Sequence, residues 1–220
     1  MKRLKFISKY IIVITLLCML LIISIVFNLI QYSKYDSSNN MKNIVFFGDS
    51  ITEQYKLDKF FHEPYIINKG VGGDKTEDLL ERIEKDVYQY NPSDVIILVG
   101  INDILHDIND DDILLNIETI VNDIKLNRPA ANIFVESIYP INEKLINENK
   151  EHKVYNKNIK SINKEIKQMC LQNGVTYINV FDSLTDEEGN LKRLYTKEGL
   201  HLTNLGYLRV TSVLQEYIKK

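Results

Sequence analysis

Four short segments carry side chains able to do chemistry: Phe47-Gly48-Asp49-Ser50, Gly70-Val71-Gly72-Gly73-Asp74, Gly100-Ile101-Asn102-Asp103 and Glu198-Gly199-Leu200-His201. Singly, each has an ordinary structural reading. Ser and Asp cap helices, glycine-rich turns serve backbone geometry, and Asn-Asp is common loop chemistry after a strand. His201 could cap or pack. Together they supply what acyl transfer requires. Ser50 offers a hydroxyl nucleophile, His201 an imidazole to take its proton, and Glu198 a carboxylate to hold the imidazole's tautomer. The Ser50 and Gly73 backbone N–H groups and the Asn102 amide can face the oxyanion that forms on the attacked carbonyl. A glycine at 73 lets the main chain approach the substrate without a Cβ in the way.

Such a set works only if the fold gathers it. Short β-branched apolar runs at 43–47, 65–68, 94–99, 132–137 and 175–180 read as strands. Helical patterns alternate with them: Leu79, Leu80, Ile83 and Val87 after Thr76, then Ile113, Leu114, Ile117, Ile120, Val121 and Ile124, then 204–218. This alternation predicts an α/β fold of βαβ units, with a parallel sheet covered on both faces. Val95-Ile96-Ile97-Leu98-Val99 is apolar on both sides, as a central parallel strand should be. In such sheets the active site lies beyond the carboxyl ends of the strands. Three of the four segments fall at strand ends.

The segments GDSIT at 48–52, NKGVGGDKT at 68–76, GIND at 100–103 and EGLHLTNLGY at 198–207 resemble, in order and spacing, the blocks of the SGNH/GDSL hydrolases. The resemblance covers roughly residues 43–218. It implies a flavodoxin-like three-layer α/β/α sandwich with a five-stranded parallel sheet. It also implies metal-independent, cofactor-free ester hydrolysis through a seryl-acyl intermediate. It makes Ser50 the nucleophile, His201 the base, and Gly73 and Asn102 oxyanion donors, with Gly72 an alternative to Gly73. One position departs: the family usually has Asp three residues before the His, and this chain has Glu198. A Glu can orient the imidazole in serine hydrolases; Asp182 or a backbone carbonyl are the competing orienters.

Other motifs fail. Gly73-Asp74-Lys75-Thr76 lacks the phosphate-loop spacing, and no G-x-S-x-G elbow surrounds Ser50. His62, His106 and His152 have neither mutual i, i+4 spacing nor a Cys partner, so no metal site is expected. Asp110-Asp111-Asp112 reads as the acidic first turn of a helix. Cys170 lies on the apolar stripe Ile159, Ile162, Ile166, Met169 and reads as an inert core thiol.

The composition, 45% hydrophobic and 26% charged, is that of a globular protein. The net charge of −3 hides an asymmetry: residues 1–34 hold five Lys/Arg and no acid. An acidic remainder without a basic stripe excludes nucleic acid as a partner. Residues 11–30 carry no charge, and twenty helical residues span a ~30 Å hydrocarbon core. The expectation is a basic cytoplasmic segment 1–10, one N-terminal transmembrane helix 11–30, a polar linker 31–42 and an extracytoplasmic esterase domain 43–220. The expected substrate is a small O-acyl ester on a small molecule, envelope glycan or lipid. A lysophospholipase or thioesterase acting on lipid substrates, an acyltransferase using the same residues, and a ligand-binding module on the same fold are the rivals.

Overall fold

The computed structural model describes residues 15, 19–28, 43–61, 65–146 and 155–218. The chain divides into two compact units, Met1–Met41 and Lys42–Lys220. In the first, residues 19–28 are helical with exposed apolar side chains. Among the described residues no helix is long and apolar enough to cross a membrane. The membrane helix expected at 11–30 is corrected accordingly, and with it the single-pass membrane placement of the domain. Apart from Thr15, the rest of that stretch, Cys18 included, lies outside the described residues, as do the basic segment 1–10, the linker 31–42, His62 and His152.

The second unit runs β1 (Ile44–Gly48), α1 (Ser50–Glu53), α2 (Leu57–Phe60), β2 (Ile66–Gly70), α3 (Thr76–Asp86), a 3-10 turn (Tyr88–Tyr90), β3 (Asp94–Leu98), α4 (Ile101–Leu105), α5 (Asp110–Asn127), β4 (Asn132–Glu136), α6 (Glu143–Ile146), α7 (Asn156–Asn173), β5 (Thr176–Ile178), α8 (Phe181–Leu184) and α9 (Asn204–Ile218). The strands form one parallel sheet in the order β2-β1-β3-β4-β5. That is the flavodoxin-like order, and its direction reverses between β1 and β3, where ligands bind in such sheets.

Consecutive strand residues point to opposite faces, and β1 makes both visible. Phe46 meets the rings of Tyr55 and Phe61, and Tyr55 stacks on Tyr207 of α9 at 4.7 Å. Phe47, on the other face, lies under the Arg82 guanidinium of α3 at 4.6 Å. Helices therefore cover both sides. The α5 stripe Ile113, Ile117, Ile120, Val121 and Ile124 is fully buried, each side chain contributing roughly 1.5–3 kcal/mol of transfer free energy. The acidic first turn of α5 follows the Asn109 cap, whose side chain accepts from Asp111 N at 3.1 Å. Cys170 is buried on α7, and burial pushes its thiol up to about 12, too high to supply thiolate at neutral pH.

Two strands stop short of their apolar runs. β4 ends at Glu136 and β5 at Ile178 because Ser137 Oγ accepts from Val180 N at 3.0 Å and Phe181 N at 2.8 Å, turning the chain into α8.

Candidate active site

Glycines allow the first two strand ends to crowd together. A Cβ at Gly48 would come within 2.2 Å of Leu98 O, and one at Gly70 within 2.0 Å of Glu53 N. Asp49 follows Gly48 in an extended conformation, and its Oδ1 accepts from Ile51 N at 2.9 Å, starting α1 at Ser50. As the first residue of its helix, Ser50 has no i−4 carbonyl for its N–H. Its side chain stands at the rim of the sheet, 9% exposed.

The histidine arrives from 151 residues away. Tyr207 of α9 donates its hydroxyl to Ile51 O at 2.7 Å, which fastens the C-terminal helix to the helix that carries Ser50. The loop before α9 is closed by an antiparallel bridge between Thr196 and Leu202. It turns at Gly199 (φ +106), where a Cβ would sit 2.8 Å from Ile146 Cγ1. His201 Nε2 then lies 3.0 Å from Ser50 Oγ, and His201 Nδ1 lies 2.9 Å from Glu198 Oε1. With Nδ1–H donating to the carboxylate, Nε2 presents its lone pair to the serine hydroxyl.

The extra methylene of Glu198 has a use. Its carboxylate curls back over its own loop, accepting from Leu200 N at 3.1 Å, from His201 N at 2.5 Å and from the imidazole. One side chain thus orients both the ring and the backbone behind it. Asp182, the competing orienter, accepts instead from Asn179 Nδ2 at 2.6 Å.

The glycine turn and β3's exit form the opposite wall. Gly73 has φ +87, which only glycine adopts without strain, yet its Cβ position is open space. Gly72 is the glycine that lies against Ser50, its Cβ position 3.9 Å from Ser50 Cβ and 2.8 Å from Glu53 Oε2. Among the described residues neither glycine's N–H has a protein acceptor. Asn102 is buried on α4, and its Nδ2 donates to Asp74 O at 2.9 Å, leaving a second amide hydrogen to face the cleft. Asp103 binds the same turn from beneath, accepting from Thr76 Oγ1 at 2.7 Å and from Thr76 N. The structure therefore gathers Ser50, His201, Glu198, Asn102 and the Gly72-Gly73 turn at one pole of the sheet. His106 stands behind them, its Nδ1 2.7 Å from Asn102 O. Phe60 and Phe61 pack with Tyr55 in the aromatic cluster beside the core.

Sequence reasoning missed two features. Asp49 is fully buried; burial raises its carboxyl to about 7, and Asp103 and Asp74 push the same way. Its Oδ2 has no hydrogen-bond partner among the described residues. Arg82 is the second: on the sequence it pairs with Asp86 at i+4 as any surface arginine does, and nothing there marks its reach towards the site.

The chain resembles known proteins over this whole unit. The GDSL-like Lipase/Acylhydrolase family matches residues 46–209. A Streptococcus pneumonia structure designated a platelet activating factor is 33% identical with a TM-score of 0.75, covering 84% of this chain and 89% of that one. A GDSL-like lipase from Bacteroides thetaiotaomicron is 26% identical with a TM-score of 0.74, covering 86% and 97%. The rat (Rattus norvegicus) platelet-activating factor acetylhydrolase IB subunit alpha2 is 26% identical over 196 residues, 86% of this chain and 82% of its own length. Strand order, strand-end chemistry and these similarities agree: the chain belongs to the GDSL-like lipase/acylhydrolase family and is an ester-hydrolysing enzyme.

Proposed function

We propose that this enzyme hydrolyses small O-acyl esters, acetyl esters foremost, with Ser50 as nucleophile, His201 as general base and acid, and Glu198 as the group that orients His201. The observation that carries the reading is His201 standing between Ser50 Oγ and Glu198 Oε1, at 3.0 Å and 2.9 Å. Ser50 Oγ attacks the ester carbonyl while its proton passes to His201 Nε2. The carbonyl oxygen becomes an oxyanion facing the N–H groups of Ser50 and of the Gly72-Gly73 turn and the free amide hydrogen of Asn102. Collapse breaks the bond to the alkoxide, which takes the proton from Nε2 and leaves as alcohol. Water then attacks the acyl-serine, giving its proton to the same nitrogen. The second collapse returns that proton to Ser50 Oγ and releases the carboxylic acid.

The small-acyl preference draws on the relatives named as acetylhydrolases. The expectation of an envelope glycan loses the extracytoplasmic placement that was one of its supports. A chain-length series of p-nitrophenyl esters, run beside Ser50→Ala, tests the reading. Ser50-dependent turnover falling steeply beyond propionyl is the expected result. A rise towards long chains would replace it with a lipid acylhydrolase. Absence of any Ser50-dependent turnover and of any phosphonate adduct at Ser50 would overturn the catalytic assignment.

A further inference from the structure

Arg82 is 15% exposed at its side chain and spends four of its five N–H directions on four different partners. Nε donates to Asp74 Oδ2 at 2.7 Å, Nη1 to Lys69 O at 3.0 Å and Asp86 Oδ2 at 3.1 Å, and Nη2 to Gly48 O at 2.9 Å. The guanidinium plane rests on Phe47 of β1. Gly48 lies two residues before Ser50, and its carbonyl also accepts from Val71 N at 3.0 Å. Asp74 directly follows Gly73, and its own carbonyl holds Asn102 Nδ2. One cation therefore touches the strand end that carries the nucleophile and the turn that carries backbone donors. Through Asp74 it also reaches the residue that holds Asn102. Charge neutralisation alone would need only Asp86, one turn along α3.

Resting on the catalytic reading above, we propose that Arg82 is a positioning residue for ester hydrolysis. It sets the distance between Ser50 and the oxyanion donors of the Gly72-Gly73 turn and Asn102. Only a planar fork fits this task. A lysine ammonium has its donors at a single point and cannot span Gly48 O, Lys69 O and Asp74 together. Removing the fork frees the turn to drift, and a ~1 Å misplacement of such groups lowers turnover by up to about 10²-fold. Binding of the ester, which needs no oxyanion contact in the ground state, is left nearly unchanged.

Arg128 is the matched control. It lies over the Tyr88 ring at 5.0 Å and donates to Tyr88 O and to Asn127 O, at the amino-terminal end of the sheet between α5 and β4. The test compares wild type, Arg82→Ala, Arg82→Lys, Arg128→Ala and Ser50→Ala on p-nitrophenyl acetate. Turnover is normalised to folded protein by circular dichroism, and phosphonate labelling is followed at Ser50. Arg82→Ala is expected to lower kcat about 30- to 100-fold with KM within about threefold, and to label proportionately more slowly. Added methylguanidinium should restore part of kcat. Arg128→Ala should melt earlier with kcat within about twofold of wild type. A kcat for Arg82→Ala within threefold of wild type, while Ser50→Ala is inactive, overturns the proposal alone. If Arg82→Ala does not fold, Arg82→Lys decides: kcat at least about tenfold down supports the fork, and near-wild-type kcat overturns it. Turnover surviving in Ser50→Ala overturns both the catalytic reading and the clamp built on it.

Discussion

Two of the parallel strands end in an acid followed by a serine, Asp49-Ser50 after β1 and Glu136-Ser137 at β4, and the two serines have opposite fates. Both acids are buried, and burial raises both carboxyls. Ser137 is fully buried, and its Oγ accepts two backbone N–H groups, from Val180 and Phe181. Its lone pairs are committed, so the hydroxyl is a joint between β4 and α8. Ser50 faces an imidazole instead of amide hydrogens, at the rim of the cleft. On the proposed reading, the imidazole opposite its hydroxyl makes Ser50 a nucleophile, whereas the donors opposite its hydroxyl make Ser137 a structural joint. The local sequence is nearly the same, and the facing group decides.

Removing each hydroxyl breaks this contrast most sharply. Ser50→Ala should lower kcat by about 10⁴-fold or more with little change in melting temperature, because no buried donor loses its acceptor. Ser137→Ala should leave phosphonate labelling at Ser50 intact. Equal loss of turnover in both variants would collapse the distinction. The next largest effect tests the facing group itself. Glu198→Gln should cost about 10³-fold in kcat, since a neutral amide supports the imidazolium poorly and can hold the wrong tautomer. Asp182→Asn, whose carboxylate bonds Asn179, should stay within about twofold of wild type. Reversed sizes for these two variants, read from steady-state kinetics, would move the orienting role to Asp182.

How far the sequence discloses this arrangement follows from which contacts are local. The strands are legible because a parallel strand buried on both faces must be a continuous apolar run, and Val95 to Val99 is one. The strand-end segments are legible because together, in their order and spacing, they supply what acyl transfer requires, although each alone has an ordinary structural reading. Contacts between distant segments are not legible. That Gly72 rather than Gly73 lies against Ser50 and Glu53 depends on how the folded turn meets α1. Arg82 reads as half of an i, i+4 pair until the fold brings Gly48 and Asp74 to it. Nothing in the sequence marks the acids of the two Asp/Glu-Ser pairs as buried; their burial is a product of the sheet packing around them. The apolar run 11–30 satisfies a length count, but among the described residues no helix is long and apolar enough to cross a membrane.

Stability separates the pairs at a smaller scale. Ser137→Ala strips the acceptor from two buried N–H groups, which should destabilise by about 1–3 kcal/mol in urea unfolding. Turnover per folded molecule should remain at the wild-type level. A loss below about 0.5 kcal/mol would mean that those N–H groups find other acceptors, and the joint would not be structural after all.

The last effect concerns the acids themselves, and pH reads it. Glu136 accepts the Tyr139 hydroxyl at 2.5 Å; burial raises its carboxyl from 4.5 to about 8, the Tyr139 hydrogen bond opposing and the Asp49 charge adding. Asp49 is raised from 3.8 to about 7. A carboxyl whose folded pKa lies above its unfolded value binds more protons in the folded state. Its stabilising contribution is full below the unfolded pKa and is lost as pH rises through the folded one. Between about pH 4.5 and 8, Glu136 should therefore erode stability, by at most about 1.4 kcal/mol per pH unit. Glu136→Gln keeps an acceptor for Tyr139, removes that charge and relieves its repulsion of Asp49. The variant should match wild type near pH 5 and exceed it near pH 9, measured as the difference between urea midpoints at each pH. Parallel profiles would show that Glu136 titrates alike in both states, and that the acid beside the structural serine is not strained as the acid beside the nucleophile is.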